Sequence, residues 1–522
     1  MRPHSLMFAA LLIAASAGPS VAQVGGSPPA PGPDVARAVA AIDAAVRNTM
    51  ALTGVPGVAV AVVHRDAVAH ARGYGVREVG RPEPVDTDTV FQVASVSKPI
   101  ASTIVAGVVG RGLIGWDDAV RSRIPGFALS DAYVTATVTV ADLLSHRSGL
   151  RTSAGDLLED LGYDRTYILS RLVHQPLDPF RSSYNYSNFG YTAGAEAAAA
   201  AAGTDWERLA ETVLFEPLGM TRSSFRHADY AAHENRARLH ARRGTADARR
   251  WVAAHDRLPD PQAAAGGASA SILDVARYLR LVLAGGSFEG RPVIDAAALA
   301  MTQAPHTLTR LPGPPTGRPG FYGFGWNVGY DDRGQLELSH AGAFYLGAAT
   351  YVHLVPSDEL AIVVLTNGEP VGVPEALART ILDIAYRGEA SRDWLEIFGS
   401  LYGAMREQDA ALFRSAAPPT DARPPRAPAD YAGRYDNRYY GPADVVERDG
   451  RLAMSMGPED ARVSWDLMPF DGDTFTFRPV GENAVEAAGA TFLRGPSGAV
   501  SRVVIDFYDR NGLGSFARRA VQ

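Results

Sequence analysis

The 522-residue chain carries a net charge of −7 and is 46% hydrophobic, the composition of a globular protein long enough for two or three domains. It shows no block of like charge that would grip nucleic acid or an anionic membrane. With no cysteine, disulfides, cysteine-anchored lipids and thiolate metal sites are excluded.

The first stretch has Arg2 and His4, an apolar run from Leu6 to Ala17, and Ser20-Val21-Ala22 before Gln23. That is the layout of a secretory signal peptide over residues 1–22, and the run falls short of the roughly 20 residues a membrane span needs. We therefore expect a periplasmic or secreted bacterial protein with no stable membrane span after cleavage. Residues 23–34 are a Pro/Gly linker. Asp34 is placed to cap a helix in which Val35, Val39, Ile42 and Val46 step by three or four as far as Gly54. Val58 to Val63 and Ala67 to Tyr74 read as two strands turning at Arg65-Asp66.

Ser95-Val96-Ser97-Lys98 follows, and Lys98 is the only lysine; the other 49 of the 50 basic residues are arginine. Arginine keeps its proton in proteins, whereas a desolvated lysine can lose it near neutral pH. Lys98 is therefore a candidate base rather than a mere charge. Ser95 lies three residues earlier, on the same face of a helical turn. Pro99 pins that turn to a helix start, and Ile100, Ile104 and Val108 mark the buried face of the helix. Unpaired N–H groups at such a start favour a developing oxyanion. A Ser-x-x-Lys match alone occurs by chance in many proteins; the single lysine is what makes this one informative.

From Ile100 to about Arg277 the pattern is mostly helical, including the Ala-rich run Ala193 to Ala202. Strands return over Tyr322 to Val328, Gln335 to His340, Ala348 to Leu354 and Leu360 to Thr366. A sheet drawing on both ends of one segment, with helices between, implies an α/β catalytic domain plus a helical lobe over residues 35–387. A helix marked by Trp394, Ile397, Phe398, Leu401 and Met405 and a join with prolines at 418, 419, 424, 425 and 428 occupy residues 388–428. Short alternating stretches then predict a small all-β, barrel-like domain over 429–522, without histidine, lysine or cysteine and with carboxylates expected on a solvated surface.

A serine and a lysine still need a proton relay, a substrate clamp and an oxyanion hole. Tyr186-Ser187-Asn188 offers a phenol in a hydroxyl-rich stretch, with Tyr184 close by. His340-Ala341-Gly342 closes a predicted strand along which a substrate could lie. Taken singly, Tyr186 is a loop aromatic and His340 a strand-end histidine. There is no G-x-S-x-G elbow and no H-E-x-x-H, and the histidines at 227, 233, 240 and 255 read as an Arg-rich solvated surface. His146 beside Ser148 suggests a serine–histidine pair, and a framework role for the stretch is the other reading. The reading calls for neither metal nor other cofactor.

In this order the pieces resemble the serine β-lactamase and penicillin-binding-protein superfamily, specifically its class C-like serine hydrolases. The resemblance runs from about Val35 to Asn367. It includes Leu143-Leu144-Ser145-His146-Arg147-Ser148-Gly149-Leu150, Glu216-Pro217-Leu218-Gly219-Met220 and Gly323-Phe324-Gly325-Trp326. It implies an antiparallel sheet flanked by helices, with Ser95 as nucleophile, Lys98 as its base, Tyr186 as second proton-transfer group and Asn188 as a ligand for a substrate amide. Backbone N–H groups of Ser95 and Ala343 would form the oxyanion hole, and His340 and Gly342 would line the substrate. Many lactamases carry lysine where this chain has His340, which counts against efficient β-lactam hydrolysis. The His-x-Gly form with a trailing lipocalin-like β module resembles the D-aminopeptidase and esterase branches. The expected function is thus an exported serine hydrolase on an amide or ester of a small molecule or short peptide, possible as a homo-oligomer. A weak class C-like β-lactamase and a non-catalytic penicillin- or peptidoglycan-binding module are the alternatives.

Overall fold

The computed structural model describes residues 32–244, 248–253, 256–312, 317–412 and 418–520; the expected signal peptide, most of the linker and His255 lie outside them. Helix α1 (Val35–Thr53) begins at Asp34, whose carboxylate accepts the N–H of Arg37 at 3.0 Å, and ends at Gly54 in the left-handed region. Strands β1 (Gly57–His64) and β2 (Ala67–Gly75) form the expected hairpin, turning through Arg65 and Asp66 at φ 50° and 58°, the backbone twist a two-residue hairpin turn needs. Helices α2 (Ser97–Gly110), α3 (Asn188–Ala202) and α4 (Ile272–Leu283) follow. Then come β3 (Thr307–Arg310), β4 (Gly320–Tyr322), β5 (Asn327–Tyr330), β6 (Leu336–Phe344), β7 (Ala348–Val355) and β8 (Leu360–Thr366), and helices α5 (Val373–Arg387) and α6 (Trp394–Leu412).

These eight strands make one sheet in the order β2, β1, β8, β7, β6, β5, β4, β3, antiparallel at every step. The period-two rule explains how β1 serves two layers at once. Val58, Val60 and Val62 pack on α1 and α5, while Ala59, Ala61 and Val63 face the helical side with α2 and α4. The first and last parts of the segment thus meet where β1 pairs with β8, one strand in from the β2 edge, and the residues between them supply the lobe.

Two strand boundaries differ from expectation. The stretch expected as one strand from Tyr322 is β4 and β5, broken by Gly323-Phe324-Gly325-Trp326. Gly325 sits at φ +82°, and a Cβ there would lie 2.6 Å from the carbonyl oxygen of Lys98. The strand expected to close at His340 continues to Phe344, so His340, Gly342 and Ala343 lie inside β6. Ala-Gly-Ala has little strand preference, and it is the pairing of Ala341, Gly342 and Ala343 with Tyr351, Thr350 and Ala349 of β7 that holds it extended. His240, expected on a solvated surface, is buried: Nδ1 lies 3.0 Å from the carbonyl oxygen of Asn367, and Nε2 accepts the N–H of Val79 at 3.0 Å.

The C-terminal domain is a closed barrel of eight strands between Gly433 and Arg518, with Gly433–Asp436 pairing both the next strand and the last; closure leaves no exposed edge. Tyr435, Met454, Phe475, Phe492 and Phe516 fill its buried core. The barrel is seated on the helical lobe. Tyr439 Oη accepts the N–H of Gly155 at 2.9 Å, and Tyr163 donates to the carbonyl oxygen of Tyr440 at 3.0 Å. Among the described residues no helix is long and apolar enough to cross a membrane.

Candidate active site

Ser95 lies in a 3-10 turn, Ala94–Val96, immediately before α2, rather than in the helix itself. Ala94 holds φ +47°, a region that costs a non-glycine residue about 1–3 kcal/mol. Its methyl is locked against Leu239, Phe344 and Ala348. Strand β6 runs beside this turn, and glycine at 342 follows from the approach: a Cβ there would meet the carbonyl oxygen of Val93 at 2.4 Å, Thr350 Oγ1 at 2.3 Å and the backbone nitrogen of Ser95 at 3.1 Å. Thr350 donates to the same Val93 carbonyl at 2.7 Å, so β7 is tied to the serine turn as well.

Lys98 is fully buried. Its Nζ lies 3.1 Å from Ser95 Oγ, 2.8 Å from Asn188 Oδ1 and 2.9 Å from the carbonyl oxygen of Ala265. Burial drives the amine well below its ordinary pKa, and the Asp156 carboxylate opposes this only in part. A neutral amine has two N–H donors and one lone pair. Asn188 Oδ1 and the Ala265 carbonyl can only accept, so they take both donors, and the lone pair is left facing the Ser95 hydroxyl. Asp156 fixes the sense of the Asn188 amide, because its two oxygens sit 3.3 Å from Nδ2. Asn188, expected to meet a substrate amide, is thus engaged at both ends by the protein.

Tyr186 Oη donates to Ser95 Oγ at 2.8 Å. Burial pushes the phenol far above its usual pKa, which keeps its proton in place. The loop carrying it is held by the first framework stretch. His146, at φ +57°, accepts the N–H of Ser187 on Nδ1 at 3.2 Å, and its carbonyl accepts the N–H of Asn185 at 2.9 Å. Asp142 binds Arg147 and Arg181 at 2.8 Å each. Tyr184 contributes packing against His146 and Tyr322. The Gly323–Trp326 stretch acts on the other side, where Gly325 leaves room for Tyr191 to donate to the Lys98 carbonyl at 2.6 Å.

His340 is buried, with Nδ1 2.7 Å from the carbonyl oxygen of Ala341 and Nε2 3.0 Å from Tyr322 Oη. Nδ1 therefore carries the hydrogen and Nε2 accepts from the phenol. Burial, with the nearby Lys98, lowers its pKa to about 3, so the histidine that stands where many lactamases carry lysine is a neutral ring. Sequence reasoning did not find Asp156, the Ala265 carbonyl or Tyr322. A main-chain oxygen has no residue signature, and a lone carboxylate or tyrosine carries no motif.

The family described as Beta-lactamase matches residues 42–386, and a Domain of unknown function (DUF3471) matches residues 417–513. Penicillin-binding protein 4 of Amycolatopsis lactamdurans is 31% identical over 393 residues, covering 73% of this chain and 93% of that protein. Unguisins hydrolase ungD of Aspergillus violaceofuscus is 24% identical over 496 residues, covering 87% and 85%. In fold, the octameric penicillin-binding protein homologue from Pyrococcus abyssi aligns with a TM-score of 0.58 at 18% identity, over 92% of this chain and all of that one. The chain belongs to the β-lactamase family of serine hydrolases, related to penicillin-binding proteins, with a closed β-barrel as a distinct C-terminal module.

Proposed function

We propose that the protein cleaves an amide or ester through an acyl-enzyme on Ser95. The observation that carries this reading is the arrangement at Lys98, a desolvated amine whose lone pair faces the serine hydroxyl while both N–H bonds are spent elsewhere. In the proposed reaction Lys98 takes the Ser95 proton as Oγ attacks the substrate carbonyl. The backbone N–H groups of Ser95 and Ala343 hold the oxyanion. Tyr186, which stays a neutral phenol, relays the proton taken up by Lys98 to the leaving group as the C–N or C–O bond breaks, and water releases the acyl group by the reverse path. Asn188 orients the lysine, and His340 with Gly342 shapes the strand edge along which the substrate lies.

The substrates we favour are peptides containing D-amino acids or small carboxylic esters. Relatives named as a hydrolase of unguisins and as penicillin-binding proteins make peptide-like substrates reasonable. Neutral His340 offers no fixed cation for the carboxylate of a β-lactam, which places weak β-lactam hydrolysis second. The N-terminal sequence supports export to the periplasm or medium, and assembly into an oligomer is a further part of the proposal, prompted by the octameric neighbour. Turnover of p-nitrophenyl acetate by the native chain and by Ser95→Ala tests the reading. Loss of the rate in the variant is expected, and equal rates would end it. D-amino-acid amides, short esters and nitrocefin then rank the substrates.

A further inference from the structure

The barrel was expected to hold its carboxylates in solvent, yet Glu482 is turned into the catalytic domain with its side chain only 11% exposed. It sits between the barrel strands Thr474–Phe477 and Ala488–Arg494. Its carboxylate accepts the backbone N–H groups of Tyr345 and Leu346, the latter at 3.3 Å. Those two residues and Gly347 are the turn that joins β6 to β7, closed by the N–H of Gly347 on the carbonyl of Phe344 at 2.9 Å. Turn N–H groups buried without an acceptor are costly, and here the acceptor comes from another domain.

The aim of Glu482 is itself fixed. Asp160 of the helical lobe accepts the N–H of Glu482 at 2.9 Å, the N–H of Asn483 at 3.0 Å and the Asn483 amide at 2.9 Å. Gly481, at φ +108°, lets this backbone come close, since a Cβ there would lie 2.5 Å from the Asp160 carboxyl. Arg257 Nε stands 4.0 Å from the Glu482 carboxylate on the lobe side. Three groups from the lobe and the sheet thus converge on one barrel loop.

Ala343 lies two residues before the turn on the same strand, roughly 7 Å away at the rise of a β-strand. Beside it, Gly342 comes so near the serine turn that a Cβ there would lie 3.1 Å from the backbone nitrogen of Ser95. The stretch of β6 that carries Ala343 is held on one side of it by Tyr322 on His340, inside the strand, and on the other by Glu482 on the turn. We propose that Glu482 is a positioning residue for the oxyanion strand, so that the barrel takes part in catalysis by fixing the end of β6. This rests on the role assigned above to Ser95 and Ala343. A cavity of about 540 Å³ lined by Tyr345, Leu346, Arg406, Arg478 and Glu482 lies beside the same turn, so a direct contact with long substrates is the competing role to be separated.

Full-length Glu482→Ala and Glu482→Gln are compared with the native chain on p-nitrophenyl acetate and p-nitrophenyl octanoate, with hydrogen exchange followed at Tyr345 and Leu346. Removing an oxyanion-hole donor outright costs about 10² to 10³ in rate, and a displaced donor should cost less. The expected result for Glu482→Ala is a kcat lower by about 10- to 100-fold on both esters, KM within about twofold, and faster exchange at the two amides. Glu482→Gln keeps one acceptor and the side-chain volume, so it should show the same pattern at smaller amplitude, and it carries the test alone if the alanine variant does not fold. Unchanged kcat, unchanged exchange, or a loss confined to the octanoate would each overturn the positioning role. Equal rates for native chain and Ser95→Ala would instead remove the hydrolytic reading beneath it.

Discussion

Two basic side chains, Lys98 and Arg257, are buried within the reach of Asp156, and they are handled in opposite ways. Lys98 meets only neutral acceptors, Asn188 Oδ1 and the Ala265 carbonyl, with the nearest carboxylate one residue removed behind Asn188. Arg257 is bound directly to Glu159 and faces Glu482. Burial must shift some group in each cluster. Around Lys98 the amine itself yields, and its pKa falls well below the ordinary value. Around Arg257 the guanidinium holds its proton, and burial pushes the Glu159 and Glu482 carboxyls upward while Arg257 and, for Glu482, the turn N–H groups pull them back. One cluster makes a base, the other a clamp between lobe and barrel. The choice of the single lysine over a fiftieth arginine is then a chemical one.

The comparison breaks most sharply at Lys98. Lys98→Arg should be nearly as damaging as Lys98→Ala, with a loss of about 10² to 10⁴ in kcat, because a guanidinium cannot surrender its proton. Ester turnover within roughly tenfold of native would contradict this. In the other cluster, Glu159→Ala leaves Arg257 buried without its bonded partner, which should cost about 3–5 kcal/mol of stability. Chemical denaturation checks it, and a loss below about 1 kcal/mol would show the pair is not a clamp.

Asn188→Asp would give Lys98 what Arg257 already has. A carboxylate within bonding reach favours the ammonium, so the lysine pKa rises and the rate falls with decreasing pH from a higher starting point. Activity on that acid limb should drop about tenfold for every pH unit by which the limb moves up. An acid limb that stays in place would argue that Lys98 does not set it. The smallest effect is expected at His340→Lys, which replaces a neutral ring by a cation near Lys98. Like charge disfavours the ammonium, so the acid limb should move to lower pH, and kcat/KM should change by a few-fold in favour of carboxylate-bearing substrates. Identical ratios for neutral and anionic substrates would rule out that role for position 340.

Much of this was legible in the chain. Asp34 and Gly54 bracket α1, Arg65-Asp66 turns the first hairpin, and the Ser-x-x-Lys turn could be placed before a helix because Pro99 follows it. What escaped had no local signature. Strand β6 runs on through Ala-Gly-Ala because β7 pairs with it, not because those residues prefer to be extended. Lys98 takes an acceptor from the main chain of the Ala263–Gly267 turn, where any side chain would leave the oxygen in place. His240 and Glu482 sit in polar stretches that read as surface, and only the packing of Gly347 on His240, where a Cβ on the glycine would lie 2.2 Å from the His240 backbone nitrogen, and of the barrel on the lobe reveals that both are buried.

Because Lys98 is the only lysine, a sample labelled with 13C at lysine Cε gives one side-chain signal from the site, with no neighbour to confuse it. Its chemical shift followed against pH reads the protonation of the candidate base directly, in Ser95→Ala as well as in the native chain. A neutral amine at pH 7 to 8, with a midpoint well below that of free lysine, is the predicted result. An ammonium that persists to about pH 10.4, the ordinary lysine value, would contradict it.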